Sequence, residues 1–441
     1  MKKRKIKKNK EKGITLVALV ITIIILIILA TVTINFAFGD NGLIRQAELA
    51  RDLTANSTKY EEESTANLVA YMNEVMGGDS GISDGIPEIP MSEAKGQEEG
   101  FSEKTIVVDN QNNKITVPEG FKIADDSGDT VQQGIVIEDV SASTDTAVQG
   151  SQYVWIPVGS FTNDAGETKE VILGRYTFST SSPGTPTLVQ AAFNEPETEN
   201  GGDGIPDNIP DYTDQSDSVV ISSYYKELVD YREGIASSGT DGENATAKDL
   251  AGFLNSAKNN GGYYIGRYEA SFASGSSVAD YKAASKVSNG YSEESMSYSA
   301  GTLWNYITEL DASKVAINTY AGSNSVTSDL MNSYAWDTAI VYIQQAGNTN
   351  YANQTRAHTS LSNTGNLAEG VKDEVCKIND MASNVRERTT EYSSNTNSSF
   401  ANPCVSRGGI YNGSNIYTAY RVNGNSTLAL SYIGFRLSLY L

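Results

Sequence analysis

Twenty-seven consecutive uncharged residues, Gly13 to Gly39 (GITLVALVITIIILIILATVTINFAFG), constrain this chain more than any other feature. As a helix rising 1.5 Å per residue, the run would reach roughly 40 Å, beyond the roughly 30 Å hydrocarbon core of a bilayer. It is also longer than the apolar core of a cleaved secretory signal. Ahead of it, residues 1–12 (MKKRKIKKNKEK) hold eight Lys/Arg against one Glu. Behind it the chain is acidic enough to bring all 441 residues to a net charge of −21. This polarity predicts a cytoplasmic N-terminus and a single-pass protein of the cell membrane, with everything beyond Gly39 extracellular. The simplest such protein is a plain anchor.

The remaining composition narrows the classes. A chain this long exceeds one small core. Its acidity argues against nucleic acid, which needs clustered basic side chains. One His leaves little room for a His-based metal site or triad, and two Cys cannot build a disulfide scaffold or a four-cysteine zinc site.

The join at Lys12-Gly13-Ile14-Thr15-Leu16 resembles that of a type IV prepilin, or a related pseudopilin, of a Gram-positive bacterium. The resemblance implies a basic leader (1–13), cleavage by a prepilin peptidase between Gly13 and Ile14, and methylation of the new N-terminus at Ile14. It further implies a transmembrane pilin helix over 14–38 and contacts with other pilin subunits. The family's usual Glu at the fifth mature position is Ala18 here. That Glu would neutralise a neighbour's N-terminal amine within an apolar bundle, so its loss points to a minor or tip subunit that serves no neighbour above it.

Asp40-Asn41-Gly42 breaks the apolar run, and residues 39–76 read as a stalk with a helix from Leu43 to Met76. Residues 77–100, rich in Gly, Pro, Ser and acids, read as a flexible linker. From 101 onward the texture is of short strands: a hairpin of 104–109 with 114–118, then 134–139, 152–161, 174–178, 261–272 and 432–441. Residues 179–260 read as an insertion-rich stretch. Helices are predicted at 247–259, 299–310 and 328–346, the last stopped by Gly347. Trp155, Trp304 and Trp336 are expected to be core anchors.

Six segments in order carry a second resemblance: YVWIPVGSF (153–161), YYIGRYEASF (263–272), SDLMNSYAWDTAIVYI (328–343), NDMASNVRERTTEY (379–392), SRGGIYN (406–412) and IGFRLSLYL (433–441). Together they resemble the formylglycine-generating-enzyme, or sulfatase-modifying-factor, family, whose fold is a variant of the C-type lectin fold. The expected fold class is therefore α+β: a pilin-like helix and stalk helix followed by a C-type-lectin-like head over 101–441. The family motif falls on Asn384, Glu387, Arg407, Gly408, Gly409, Gly434, Phe435 and Arg436, with Arg386 and Arg388 replacing two usual tryptophans. Glu387, Arg407 and Arg436 are expected to be semi-buried ion partners tying loops to the sheet.

The family's copper-binding cysteine pair would fall near Gly413 and Thr418, neither of which can bind Cu(I). No catalytic residue is therefore assigned. Cys376 and Cys404 are open to three readings: a disulfide, two free buried thiols, or a displaced metal pair. Residues 410–433 are dominated by Asn, Tyr, Ser, Thr and Gly, the palette of an antibody-like binding surface or of an ordinary polar loop. Under the binding reading the contact residues are Tyr411, Asn412, Ser414, Asn415, Tyr417, Arg421, Asn423 and Asn425. No cofactor is expected, although the acidic run 201–214 weakly resembles a calcium loop with Gly201 and Pro210 at ligand positions. Lone His358 reads as a surface residue. The function expected is that of a surface-displayed minor or tip pilin-like adhesin whose head binds an extracellular protein or glycan. The alternatives are a formylglycine-generating-type oxidase and a structural pseudopilin of a secretion apparatus.

Overall fold

The computed structural model describes residues 85–178, 182, 184–192, 225–227, 250–292, 298–355, 360–364, 373–393, 404–411, 413, 416–424 and 427–441. The chain divides at Gly85–Ile86. Gly13, Ile14, the pilin helix, the stalk, the acidic run 201–214 and His358 lie outside the described residues.

In chain order the head begins with β1 (Glu88–Pro90), α1 (Met91–Ala94), β2 (Thr105–Val108), β3 (Lys114–Val117), β4 (Phe121–Ile123), β5 (Val136–Asp139) and β6 (Gln152–Pro157). It continues with β7 (Gly159–Thr162), β8 (Thr168–Val171), β9 (Gly174–Thr177), β10 (Thr187–Ala191), β11 (Tyr225–Glu227), α2 (Leu250–Asn259) and β12 (Gly262–Gly266). Next come β13 (Ser271–Ser274), β14 (Lys282–Ala284), α3 (Glu309–Thr319), β15 (Thr327–Leu330), α4 (Ser333–Gln345), β16 (Glu374–Val375) and β17 (Ile378–Asn379). It closes with β18 (Arg386–Ser393), β19 (Cys404–Arg407), β20 (Arg421–Gly424), β21 (Ile433–Phe435) and β22 (Leu437–Tyr440).

Two sheets organise these elements. A six-stranded antiparallel sheet runs β15-β22-β12-β6-β5-β4, and a five-stranded one runs β11-β18-β19-β20 with β21 added in parallel to β18. The C-terminal segment, expected to be one strand, serves both sheets. It breaks at Arg436, so β21 pairs with β18 while β22 lies between β15 and β12. The break has a cause: the Arg436 guanidinium turns inward to Glu387, the Gly266 carbonyl and the Asn379 carbonyl.

The α+β expectation, led by a membrane-spanning helix and a stalk, is corrected. The described residues are mainly β-sheet with four helices, and the longest has 13 residues. At 1.5 Å per residue that helix covers about 20 Å, short of a bilayer core. Among the described residues no helix is long and apolar enough to cross a membrane. The expectations of a transmembrane pilin and of single-pass placement are corrected on the same finding.

Three local expectations also change. The linker gives way at residue 86: β1 pairs in parallel with β2, and Met91 and Ala94, one helical turn apart, are buried. No helix forms over 299–308, because Gly301 and Tyr306 adopt left-handed backbone (φ 82 and 59). The helix starts instead at Glu309, where the Thr308 hydroxyl accepts the Asp311 N–H. The 328–346 segment divides into β15 and α4, separated by Asn332, whose side chain accepts the Ala335 N–H at 2.9 Å.

All three tryptophans are buried. Several tyrosines join them in the core, each donating its hydroxyl to a backbone carbonyl: Tyr263 to Ala335 (2.7 Å), Tyr264 to Thr116 (2.8 Å) and Tyr342 to Val131 (2.5 Å). A buried hydroxyl needs such a partner. This accounts for part of the high tyrosine content.

Candidate functional site

The C-terminal segment rests on a buried charge cluster. Three arginines, Arg175 on β9, Arg407 on β19 and Arg421 on β20, converge on Glu391 of β18 and Asp337 of α4. Glu391 accepts from Arg175 (2.9 Å), Arg407 (3.2 Å) and Arg421 (2.9 Å). Asp337 accepts from Arg407 (2.6 Å), Arg421 (2.7 Å) and the Tyr176 N–H (2.9 Å). None of the five side chains is more than 1% exposed. Burial alone would raise the Glu391 carboxyl, but Arg421, Arg407 and Arg175 outweigh it and hold it down to about 2. The Arg407 guanidinium also lies 5.5 Å from the Trp336 ring centre, and the Trp336 indole N–H donates to the Thr418 carbonyl at 3.1 Å. The cluster is thus bonded to the segment above it.

A second network holds the start of that segment. Asn384 adopts left-handed backbone (φ 56), which an asparagine tolerates. Its side chain donates to Glu269 at 2.6 Å and accepts the Ser362 N–H at 3.0 Å, and its carbonyl accepts the Tyr411 N–H at 3.0 Å. The Val385 N–H also donates to Glu269, at 3.0 Å. Burial, then the charges of Asp380 and Glu387, push the Glu269 carboxyl well above the usual range, against Arg436 and the Val385 N–H.

Glu269 therefore holds its proton to higher pH in the folded protein than in the unfolded chain, whose ordinary value is about 4.3. The sign follows: the folded state binds more protons, so stability falls as pH rises, by up to about 1.4 kcal/mol per unit, until the raised folded value is passed. Thermal melts from pH 5 to 9 should show the wild type losing stability with pH and Glu269→Gln responding less. Parallel profiles would refute a protonated Glu269.

The family-motif residues Asn384, Glu387, Arg407, Gly408, Gly409, Gly434, Phe435 and Arg436 are all buried. The expectation of semi-buried ion partners is corrected to full burial. Arg436 donates to both Glu387 oxygens, at 2.7 and 3.1 Å. Burial would favour a neutral guanidine, but Glu387 opposes it and the Arg436 pKa is raised. Arg388, at a usual tryptophan position, is also buried, 3.6 Å from Glu309 and bonded to the Leu428 carbonyl.

The disulfide reading of Cys376 and Cys404 is corrected: no disulfide joins them. Cys376 and Lys377, at φ 48 and 65, form the two-residue turn between β16 and β17, whereas Cys404 is on β19 in the other sheet. Burial pushes the Cys376 thiol up to about 12, and burial with the Glu309 carboxylate pushes Cys404 well up.

The sequence-predicted contact residues separate into four groups. Tyr411 and Tyr417 are half-buried at the surface of the head. Arg421 is drawn inward, its guanidinium committed to Glu391 and Asp337, which removes it from the contact set. Asn423 lies on β20 opposite Val405. Asn412, Ser414, Asn415 and Asn425 lie outside the described residues. The structure adds Tyr420, half-buried, and Leu428, 42% exposed.

The structure also adds a neighbouring loop, Gly347 to Thr355. The Thr418 N–H donates to the Gln354 carbonyl and the Ala419 N–H to the Ala352 carbonyl, both at 3.1 Å. Tyr417 bridges to Thr355. A polar concavity of about 760 Å³ lies along residues 347–354. Gly347 reads in sequence as a helix stop. The signal that it begins a surface lay in the next residues, NTNYANQ (348–354), which repeat the Asn/Tyr palette of 410–433.

No protein-family model and no curated protein matches the chain. Among solved structures the chain is similar to Treponema denticola variable protein 1, with 18% identity and a TM-score of 0.26, over 41% of this chain and 85% of that one. A likeness of that size carries no argument about fold or function.

Proposed function

We propose that the head is a ligand-binding module of adhesin type, with its contact face built from the C-terminal segment Tyr411–Tyr432 and the loop Gly347–Thr355. The observation that carries this reading is the pairing of these two segments beside a polar concavity. The C-terminal segment is held by Trp336 at Thr418, Arg388 at Leu428 and Asn384 at Tyr411, and the loop is held by its backbone pairing with that segment, so Tyr411, Tyr417, Tyr420 and Leu428 are positioned before any ligand arrives. A pre-ordered face loses less entropy on binding, and tyrosine supplies large contact area with two side-chain torsions.

The resemblance to the formylglycine-generating family enters this proposal as a resemblance of scaffold residues, not of chemistry. The raised thiols of Cys376 and Cys404 disfavour thiolate-based oxidation, since the thiolate is the reactive and metal-binding form. The test is an array of immobilised proteins and glycans probed with the wild type and with a Tyr411→Ala, Tyr420→Ala, Leu428→Ala triple variant. Signals given by the wild type should fall by at least about 100-fold, as expected when hot-spot side chains are removed. The melting temperature should stay within a few degrees. An unchanged array profile would refute the assignment.

A further inference from the structure

We propose that the contact face takes an uncharged, polyhydroxylated ligand, a neutral oligosaccharide, lying along an amide-lined groove that continues past the C-terminal segment. The proposal rests on the binding reading above and names the ligand class.

The groove is two concavities in series. The one along residues 347–354 shares Gly347 and Thr349 with a second of about 340 Å³, bordered by the end of α4 and by the β7–β8 hairpin. Both volumes fall within the range of roughly 300–1,000 Å³ typical of small-ligand sites. Side-chain amides dominate the lining: Gln345, Asn348, Asn350, Asn353 and Gln354. Among the described residues, the side chains of Gln345, Asn348 and Asn350 make no hydrogen bond within the protein, and Asn348 and Asn350 are exposed. An amide presents a donor and an acceptor side by side. A pair of adjacent sugar hydroxyls presents the same combination in reverse.

Charge selects against the alternatives. Among the described residues the lining holds one acid and one base, Glu167 and Lys169, and these pair with each other at 2.8 Å. Among the described residues no arginine borders either concavity, so these residues offer no fork of the kind that recognises phosphate or carboxylate. The chain's net charge of −21 also repels polyanions over the longer range. A peptide would need apolar pockets for its side chains, and the hydrophobic residues of the described lining are Ala346 and the buried Tyr351. Half-buried Tyr417, whose backbone bridges to Thr355 next in chain to the lining residue Gln354, is the aromatic of the contact face that a longer sugar chain would reach.

The test is titration calorimetry of the full chain with neutral hexasaccharides: β-1,4-linked glucose, α-1,4-linked glucose and β-1,4-linked N-acetylglucosamine. Hexagalacturonate serves as the anionic counterpart and a random hexapeptide pool as the peptide arm. At least one neutral hexasaccharide should bind saturably, at least tenfold more tightly than hexagalacturonate. The surface variant N348L/N350L should weaken it at least tenfold without changing the melting temperature. Absence of saturable neutral-sugar binding overturns the proposal, as do preference for hexagalacturonate or the peptides and full binding by N348L/N350L. If sugars fail but the Tyr411, Tyr420, Leu428 triple variant still erases the wild type's array signals, the ligand class falls and the contact face stands. If the triple variant leaves every array signal and the sugar affinity intact, the contact face itself falls.

Discussion

Glu391→Ala should cost the head about 3–5 kcal/mol, the usual penalty for removing one partner from a fully buried ion cluster. Against the 5–15 kcal/mol that holds a typical domain together, such a loss leaves little margin. The reason is the count of charges. Glu391 and Asp337, two negative charges, pair with Arg175, Arg407 and Arg421, three positive ones, and all five are withdrawn from water. Removing Glu391 leaves three buried guanidiniums on one carboxylate, where mutual repulsion adds to desolvation. Urea unfolding at pH 7 measures the loss, and a change under about 1 kcal/mol would sink the idea that the cluster is a linked unit.

The pH dependence gives an independent check. The Glu391 carboxyl is held down to about 2 in the folded chain, so its contribution is fully present above the unfolded value of about 4.3 and is lost as pH falls through about 2. Its contribution thus has the opposite pH sign to that of Glu269. The two should be separable by following stability below pH 4 and above pH 5.

Gly409→Ala is expected to be the next most damaging change, at about 2–3 kcal/mol or more. A Cβ on Gly409 would lie 1.9 Å from the Ala382 carbonyl oxygen and 2.5 Å from its carbon. That neighbour is backbone in the tightly turned 380–384 segment, where Asp380 and Asn384 already adopt left-handed φ, so it cannot swing aside. The two strands of chain must separate, which moves Tyr411 away from Asn384 and disturbs the contact face. Gly290→Ala is the control: its Cβ would meet only the Thr302 methyl at 3.5 Å, an ordinary contact, and stability should change by less than about 0.5 kcal/mol. Thermal melts of both variants decide the matter, since equal losses would show that glycine content rather than close approach is at issue.

Much of the strand layout was legible in the sequence because it rests on local patterns. The 104–118 hairpin forms β2 and β3 in antiparallel register, with Asn112 at the turn in left-handed backbone. α2 buries Leu250, Phe253, Leu254 and Ala257 at helical spacing, as periodicity predicts. The failures share a different origin. Apolar residues at 299–308 and 328–330 mimic a helical period, yet two left-handed residues in the first segment and a β partner for the second keep them out of a helix. Periodicity records which side chains are apolar, not which neighbour covers them.

The candidate site shows the same limit. Asn and Tyr enrichment in 410–433 marked a surface, but nothing local separated Arg421 from its neighbours. It sits in a run of contact-type residues and nonetheless points into the core. Arg175, Asp337 and Glu391 were not visible as a group because they come from positions up to 216 residues apart. The loop 347–355 was likewise hidden until the backbone pairing with 417–419 placed it beside the C-terminal segment.

The sequence by itself determined where the chain turns, which short segments extend, and that its C-terminal region is rich in Asn, Tyr and Ser. These follow from the torsional preferences and side chains of neighbouring residues. Tertiary structure alone decided which charges are spent inside and which amides remain to meet a ligand. Burial and pairing depend on residues brought together across the whole fold, and a charged group out of water is tolerated only where its partners arrive with it.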